Sequence, residues 1–255
     1  MAKTLRIFAS QRIFDSTRTL LERHASLTVH DGDGSPLPTE QWIAAAAGCH
    51  GLLSFMTDRV TPFELKNGLL PDLRAVSAVL RGADNFDVDA MAQAGVSFSL
   101  CRDLLTKPTA ELAITLALTM MRQVVPSQTP VRSGRFKGWE PTFYGATLQG
   151  AAVGVLGWGS VGQEVGRLLA PFTDNITFTD NIAFMDRGSS SPGVGPRQLP
   201  LDSLLRESDV VFNCLPYAPS TKLILDSERL TEGIASGVYC LPSTDVCPQL
   251  MSALN

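Results

Sequence analysis

AAVGVLGWGSVGQEVGRLLAPF, residues 151–172, decides how the rest of this chain is read. Val153, Val155 and Leu156 supply a short buried strand, and Gly157, Gly159 and Gly162 follow at the spacing GxGxxG. Ser160 and Val161, between the second and third glycines, are candidate cofactor-binding residues, and the run Gln163–Leu169 can continue as a helix. Each glycine has a physical task. The first permits a tight turn, the second lets backbone approach a pyrophosphate, and the third lets helix and strand pack closely. The helix start then offers unpaired N–H groups to the phosphates. A second strand, Ile176–Thr179, ends at Asp180, 23 residues after Gly157. That is where a dinucleotide fold places the acid that accepts hydrogen bonds from the adenosine ribose. Asp180 would also repel a 2′-phosphate, which favours NAD over NADP. Its competing reading is a turn residue at the start of a loop.

Downstream, a helix at Leu201–Glu207 leads into a strand at Asp209–Cys214. Residues at the carboxyl end of such a strand face the ligand crevice of a doubly wound sheet. Leu215 and Pro216 therefore either wall the cofactor or form an ordinary strand exit. Upstream, TAELAITLALTMMRQ (109–123) reads as a helix bracketed by Pro108 and Pro126. Apolar residues nearly encircle it, so burial between domains or subunits is expected. Residues 131–150 read as a connecting loop, and 187–200, rich in Ser, Gly and Pro, as a mobile one.

The first hundred residues alternate in the same way. Candidate strands are Leu5–Ala9, Leu27–His30, Gly51–Phe55, Ala75–Val79 and Val96–Leu100. Between them Ser16–His24, Thr39–Ala47 and Asp87–Ala94 read as helices. Strands alternating with helices imply an α/β fold with a parallel sheet covered on both faces.

Composition bounds the function. The chain has 255 residues, 44% hydrophobic and 18% charged, enough apolar material for a core and too little charge for disorder. Lys+Arg 21 against Asp+Glu 25 gives a net charge of −4, which argues against a dedicated nucleic-acid or anionic-membrane binder. No apolar run approaches a membrane span, and the charged start is unlike a signal peptide, so a cytoplasmic protein is expected. The five cysteines form no CxxC and the three histidines no HxxxH pair, so neither a disulfide framework nor a metal site is expected.

Several stretches in order resemble the D-isomer-specific 2-hydroxyacid dehydrogenases. They are LRGADNFDVDAMAQAGV (80–96), LTKPTAELAITLAL (105–118), GVLGWGSVGQEVGRLL (154–169) and SDVVFNCLPYAPSTKLIL (208–225). Within that family FMTDRV (55–60), DNFDVDA (84–90), DLLTKPTAELAI (103–114) and VRSGRFKGWEPTFYG (131–145) look most like its phosphonate (phosphite) dehydrogenase branch. The resemblance implies two Rossmann/flavodoxin-like doubly wound parallel-sheet domains. Residues 1–103 would bind substrate, and 104–255 would form the NAD-binding domain, here incomplete. It implies hydride transfer between NAD and a small anionic acid, phosphite or a 2-hydroxy acid, and a homodimer. It places Arg81 and Gly82 on a loop that holds the anionic substrate, and Thr109 close to the nicotinamide. The phosphite branch carries Lys where Arg81 stands, and a forked guanidinium differs from a point charge.

The family's chemistry also needs an Arg that grips the anion, a His that acts as acid/base and a Glu that orients it. Asp245, in SGVYCLPSTDVCPQL, falls at the place of the Arg, and no residue aligns with the Glu or His before Asn255. The pattern holds through Gly237 and stops there abruptly, as expected of an altered reading frame or an early stop. A sheet cut at that point would leave an unpaired edge and an unstable second domain. A catalytically inactive NAD-binding scaffold is therefore the alternative reading, with a non-functional truncated product behind it.

Overall fold

The computed structural model describes residues 5–32, 35–138, 142–180, 195–216, 218, 220–226 and 229, with the backbone of Val238–Cys240. The chain divides into two units, Met1–Leu105 and Thr106–Asn255.

The first unit alternates β1 (Arg6–Ala9), α1 (Asp15–Glu22), β2 (Ser26–Val29), α2 (Thr39–Ala46), β3 (Gly51–Ser54), α3 (Pro62–Lys66), β4 (Ala75–Ala78), α4 (Val88–Gln93) and β5 (Ser97–Leu100). All pairings are parallel, in the order β2-β1-β3-β4-β5, with Phe8 opposite Leu52 and Leu52 opposite Val76. This is the flavodoxin-type order, whose strand direction of travel reverses between β1 and β3. Phe8, Leu52 and Val76 are buried with Trp42 of α2 and Met91 of α4. The helices end one or two residues earlier than expected, and α4 also starts one residue later because Asp87 caps it. Asp87 stays outside α4 and accepts the Ala90 N–H at 2.8 Å. The sequence pattern does not announce α3, although Thr61 and Glu64 form a capping box around Pro62.

Asp58 organises the carboxyl ends of β1 and β3. It is 5% exposed, accepts the Phe55 N–H at 2.7 Å and takes a short hydrogen bond from the Ser10 hydroxyl. The Trp42 indole N–H is directed at the same carboxyl, outside full hydrogen-bond geometry. The Asp58 N–H returns to the Phe55 carbonyl at 3.0 Å, closing the 55–58 turn. Asn85 donates to the Met56 carbonyl at 2.5 Å, tying the loop after β3 to the one after β4.

The second unit contains α5 (Thr106–Met121), α6 (Val124–Arg132), β6 (Val153–Leu156), α7 (Ser160–Leu169), β7 (Ile176–Thr179), β8 (Arg197–Gln198), α8 (Leu201–Glu207), β9 (Val210–Asn213) and β10 (Val238–Cys240). The parallel order is β10-β9-β6-β7-β8. Numbered from β6, that is the 3-2-1-4-5 order of a dinucleotide-binding half. β6 lies at the centre and is buried along its whole length. Gly154 is required there, because a Cβ would come within 2.4 Å of the Leu204 side chain on α8.

Two expectations differ from the structure. The prolines do not bracket the long helix. Pro108 sits inside the first turn of α5, where its missing N–H would have no helical partner anyway. The break after α5 comes at Gln123, in the left-handed region with φ 49°, and Pro126 lies inside α6, a helix not expected from the sequence. Within the single chain, one face of α5 is covered. Ala110, Ala113, Ile114, Ala117 and Met121 are covered, while Leu112 and Leu116 stand 55% and 40% exposed. Finally, the segment read as a mobile loop contributes β8 beside β7; its residues 187–194 lie outside the described residues. Among the described residues no helix is long and apolar enough to cross a membrane.

Two outcomes follow for stability. Ala113 and Ala117 belong to the buried core between α5 and α7, together with Val161 and Val165. Ala117→Leu should overpack this seam and cost about 1–3 kcal/mol in urea unfolding, whereas Leu112→Ala should stay within about 0.5 kcal/mol. In the first unit, burial pushes the Asp58 carboxyl above its ordinary value of 3.8. A raised folded value favours the fold at low pH and withdraws that support as pH rises through it. Asp58→Asn should therefore melt at or above wild type at neutral pH, with the gap closing as pH falls toward the ordinary carboxylate range. Asp58→Leu should cost about 1–3 kcal/mol by orphaning Ser10 and the Phe55 N–H.

Candidate functional site

The polypeptide leaves β6 through Gly157, whose φ of +86° an L side chain rarely adopts. Its N–H donates to the Thr179 carbonyl at 2.8 Å, and the preceding Leu156 carbonyl accepts from Cys214 N–H at 2.8 Å. The turn is thus pinned to both neighbours of the central strand, at the carboxyl ends of β7 and β9. The β6/β9 boundary is the point where strand order reverses, and ligands of open α/β sheets bind outside the carboxyl ends there.

Gly162 faces back onto this turn. A Cβ at Gly162 would lie 2.0 Å from the Gly157 carbonyl oxygen, so no larger residue fits without moving α7 away from β6. Gly159 is different in kind. It is exposed, precedes α7 as its N-cap, and has no heavy atom within 4 Å of where a Cβ would stand. The open space lies where a ligand's phosphates would approach, and no described side chain caps the helix at Gly159. Ser160 and Val161 follow in the first turn, Ser160 exposed and Val161 buried. The amides of a helix's first turn and the positive end of its dipole suit an anion. The residues therefore fit a dinucleotide diphosphate.

Asp180 stands half-buried at the end of β7, adjacent in the sheet to β6. On the other side Leu215 packs against Gly157, its Cδ2 and N lying 3.0 and 3.1 Å from an ideal Cβ there. Pro216 is exposed and its carbonyl accepts the Thr221 hydroxyl at 2.7 Å. Gly157, Gly159, Ser160, Val161, Gly162, Asp180, Leu215 and Pro216 thus gather at one end of one sheet. Thr109 lies in the same unit, half-buried near the start of α5, the helix that packs on α7.

Arg81 and Gly82 belong to the first unit, beyond the carboxyl end of β4. Arg81 donates through Nη1 to the Arg102 carbonyl at 3.1 Å, which holds the guanidinium beside the exit of β5. Gly82 is exposed and lies close to the Asp84 carboxylate. Of the histidines, His50 precedes β3, at the amino end, and its Nδ1 accepts the Arg6 N–H at 3.1 Å. Asp245 lies outside the described residues.

Two residues of the turn were not singled out from sequence. The Trp158 ring stacks on Phe178 of β7 at 4.5 Å and 23°, and covers Gly166 of α7 so closely that a Cβ there would come within 2.5 Å of it. Gln163 donates from Nε2 to the Trp158 carbonyl at 2.9 Å. Trp158 fills a variable position of the glycine motif and Gln163 follows its last glycine, so the motif itself marks neither.

Residues 114–239 match the family described as D-isomer specific 2-hydroxyacid dehydrogenase, NAD binding domain. Glyoxylate reductase of Pyrococcus furiosus is 27% identical over 230 residues, which are 88% of this chain and 67% of that protein. Human glyoxylate reductase/hydroxypyruvate reductase is 31% identical over 172 residues, 67% of this chain and 52% of that protein. The chain thus spans between about half and two thirds of the length of these relatives. Among solved structures, the TT0316 protein from Thermus thermophilus superposes with a TM-score of 0.81 at 26% identity, covering 92% of this chain and 72% of that one. The glycine turn, the strand order and these matches agree: residues 114–239 are an NAD-binding domain of the D-isomer-specific 2-hydroxyacid dehydrogenase type.

Proposed function

We propose that the chain works as an NAD-dependent oxidoreductase of a small anionic acid. The observation that carries this reading is the glycine turn at the β6/β9 boundary. Gly162 seats α7 against the turn, and Gly159 leaves its approach open. In this reading the first-turn amides from Gly159 to Val161 hold the diphosphate and Asp180 accepts from the ribose hydroxyls. Leu215 and Pro216 wall the other side. When bound, NAD supplies a hydride acceptor and NADH a hydride donor. Arg81, with the Gly82 backbone, holds the substrate anion, and Thr109 lines the approach to the nicotinamide.

The names of the relatives favour a 2-oxo acid of the glyoxylate type as substrate. The stretches at 55–60, 84–90, 103–114 and 131–145 favour phosphite instead. The exposed Leu112 and Leu116 of α5 support a homodimer.

The test is a fluorescence titration with NADH followed by turnover of glyoxylate, hydroxypyruvate and, with NAD, phosphite. Binding of NADH is expected, and turnover of any of the three would establish the oxidoreductase reading. Binding with no turnover of any would favour the inactive scaffold, and no binding would remove the reading. Gly159→Val should fold with an unchanged melting temperature yet weaken NADH about tenfold or more, because the new side chain fills the approach to the diphosphate.

A further inference from the structure

We infer that Gln163 is a positioning residue for the diphosphate, acting through the peptide between Trp158 and Gly159; the inference rests on the reading that this turn holds NAD. Gln163 engages the turn twice. Its backbone N–H donates to the Gly159 carbonyl at 2.9 Å, as helical continuation requires. Its side-chain amide reaches one residue further back, to the Trp158 carbonyl, also at 2.9 Å. The second bond is not part of the helix ladder, and only a side chain of this length with an N–H at its end makes it.

That bond sets the plane of one peptide. In a trans peptide the carbonyl and the following N–H point in opposite directions. Drawing the Trp158 carbonyl toward Gln163 therefore turns the Gly159 N–H away from it. Glycine tolerates most backbone conformations, so a peptide followed by Gly159 has little intrinsic resistance to flipping. A flipped plane would present a carbonyl oxygen, rather than an N–H, on the face opposite Gln163. An oxygen aimed at a diphosphate repels it. The Trp158 ring cannot swing to follow such a flip, because it is clamped between Phe178 and Gly166. The structure thus divides the work. Trp158 anchors the side-chain end of this residue, Gln163 anchors its carbonyl, and the exposed Gly159 is left as the amide presented outward.

The mechanism is confined to the phosphates. In this reading the adenosine ribose is met by Asp180, at the end of β7, while the hydrogen bonds of Gln163 go to the Trp158 and Gly159 carbonyls of the turn. Loss of Gln163 should therefore weaken ligands that carry a diphosphate and spare those that do not. A merely structural role for Gln163 would weaken both alike.

The experiment compares wild type with Gln163→Met, which keeps the length and removes the N–H, by titration with NADH and by competition with ADP and with adenosine. NADH and ADP are expected to weaken about five- to tenfold, and adenosine less than about twofold. The melting temperature should be unchanged, since Gln163 is exposed. Gln163→Arg restores a donor and should recover NADH affinity at high salt, where its added charge is screened. Unchanged ADP affinity in Gln163→Met, or equal weakening of ADP and adenosine, would overturn the role. If Gln163→Met fails to fold, Gln163→Arg decides: high-salt NADH affinity at wild-type level supports the role, and a tenfold loss overturns it. A wild-type chain that binds neither NADH nor ADP would instead remove the reading of the domain itself.

Discussion

The second unit depends on one close approach, that of Gly162 to the Gly157 carbonyl. With only a hydrogen where a Cβ would sit 2.0 Å from that oxygen, α7 can start directly at the mouth of β6. Everything about the site follows from this seating. The helix N-terminus points at the end of the sheet, and the open face of Gly159 lies in front of it. Asp180 and Leu215 stand on the two flanking strands because β7 and β9 pair with β6 in register. A longer side chain at Gly162 would push the helix outward and scatter these groups without changing any of them.

The same economy of small residues shapes both faces of the sheet around β6. On one side Gly154 admits Leu204 of α8 and Ser208 just after it. On the other, Ala110, Ala113 and Ala117 of α5 join the core with Val161, Val165 and Leu169 of α7. Packed interiors leave little free volume, so the positions that carry glycine and alanine are as constrained as those that carry large apolar groups. In the first unit, by contrast, the organising element is polar. Asp58 holds Ser10 beyond β1 and the Phe55 N–H beyond β3, and it does so from inside the protein. The two units share an α/β plan while stabilising the carboxyl ends of their strands by different chemistry.

Most of the plan could be read from local pattern. The strand at 153–156, the GxGxxG turn and the helix behind it lie within one short window, and Asp180 was found because strand spacing in such folds is regular. What escaped the sequence had non-local or context-dependent causes. Pro108 and Pro126 were read as helix stops, but proline costs nothing where the first-turn N–H has no partner. Gln123 broke the helix instead, through a left-handed conformation that a glutamine does not advertise. Two residues, 197 and 198, became a strand only because β7 lay beside them. Nothing in FMTDRV marks Asp58 as buried, since its burial is decided by β1 and α2, far away in sequence. Gln163 and Trp158 occupy positions the motif leaves open, and their roles exist only once the turn has folded.

The central claim is that backbone amides at the start of α7 hold a diphosphate while Asp180 holds the sugar. A crystal structure of the protein grown with NAD tests it most directly. The account predicts phosphate oxygens within hydrogen-bond distance of the amides between Gly159 and Val161, and a ribose hydroxyl on the Asp180 carboxylate. Phosphates seated elsewhere on the sheet, or an Asp180 carboxylate turned away from the ribose, would contradict it.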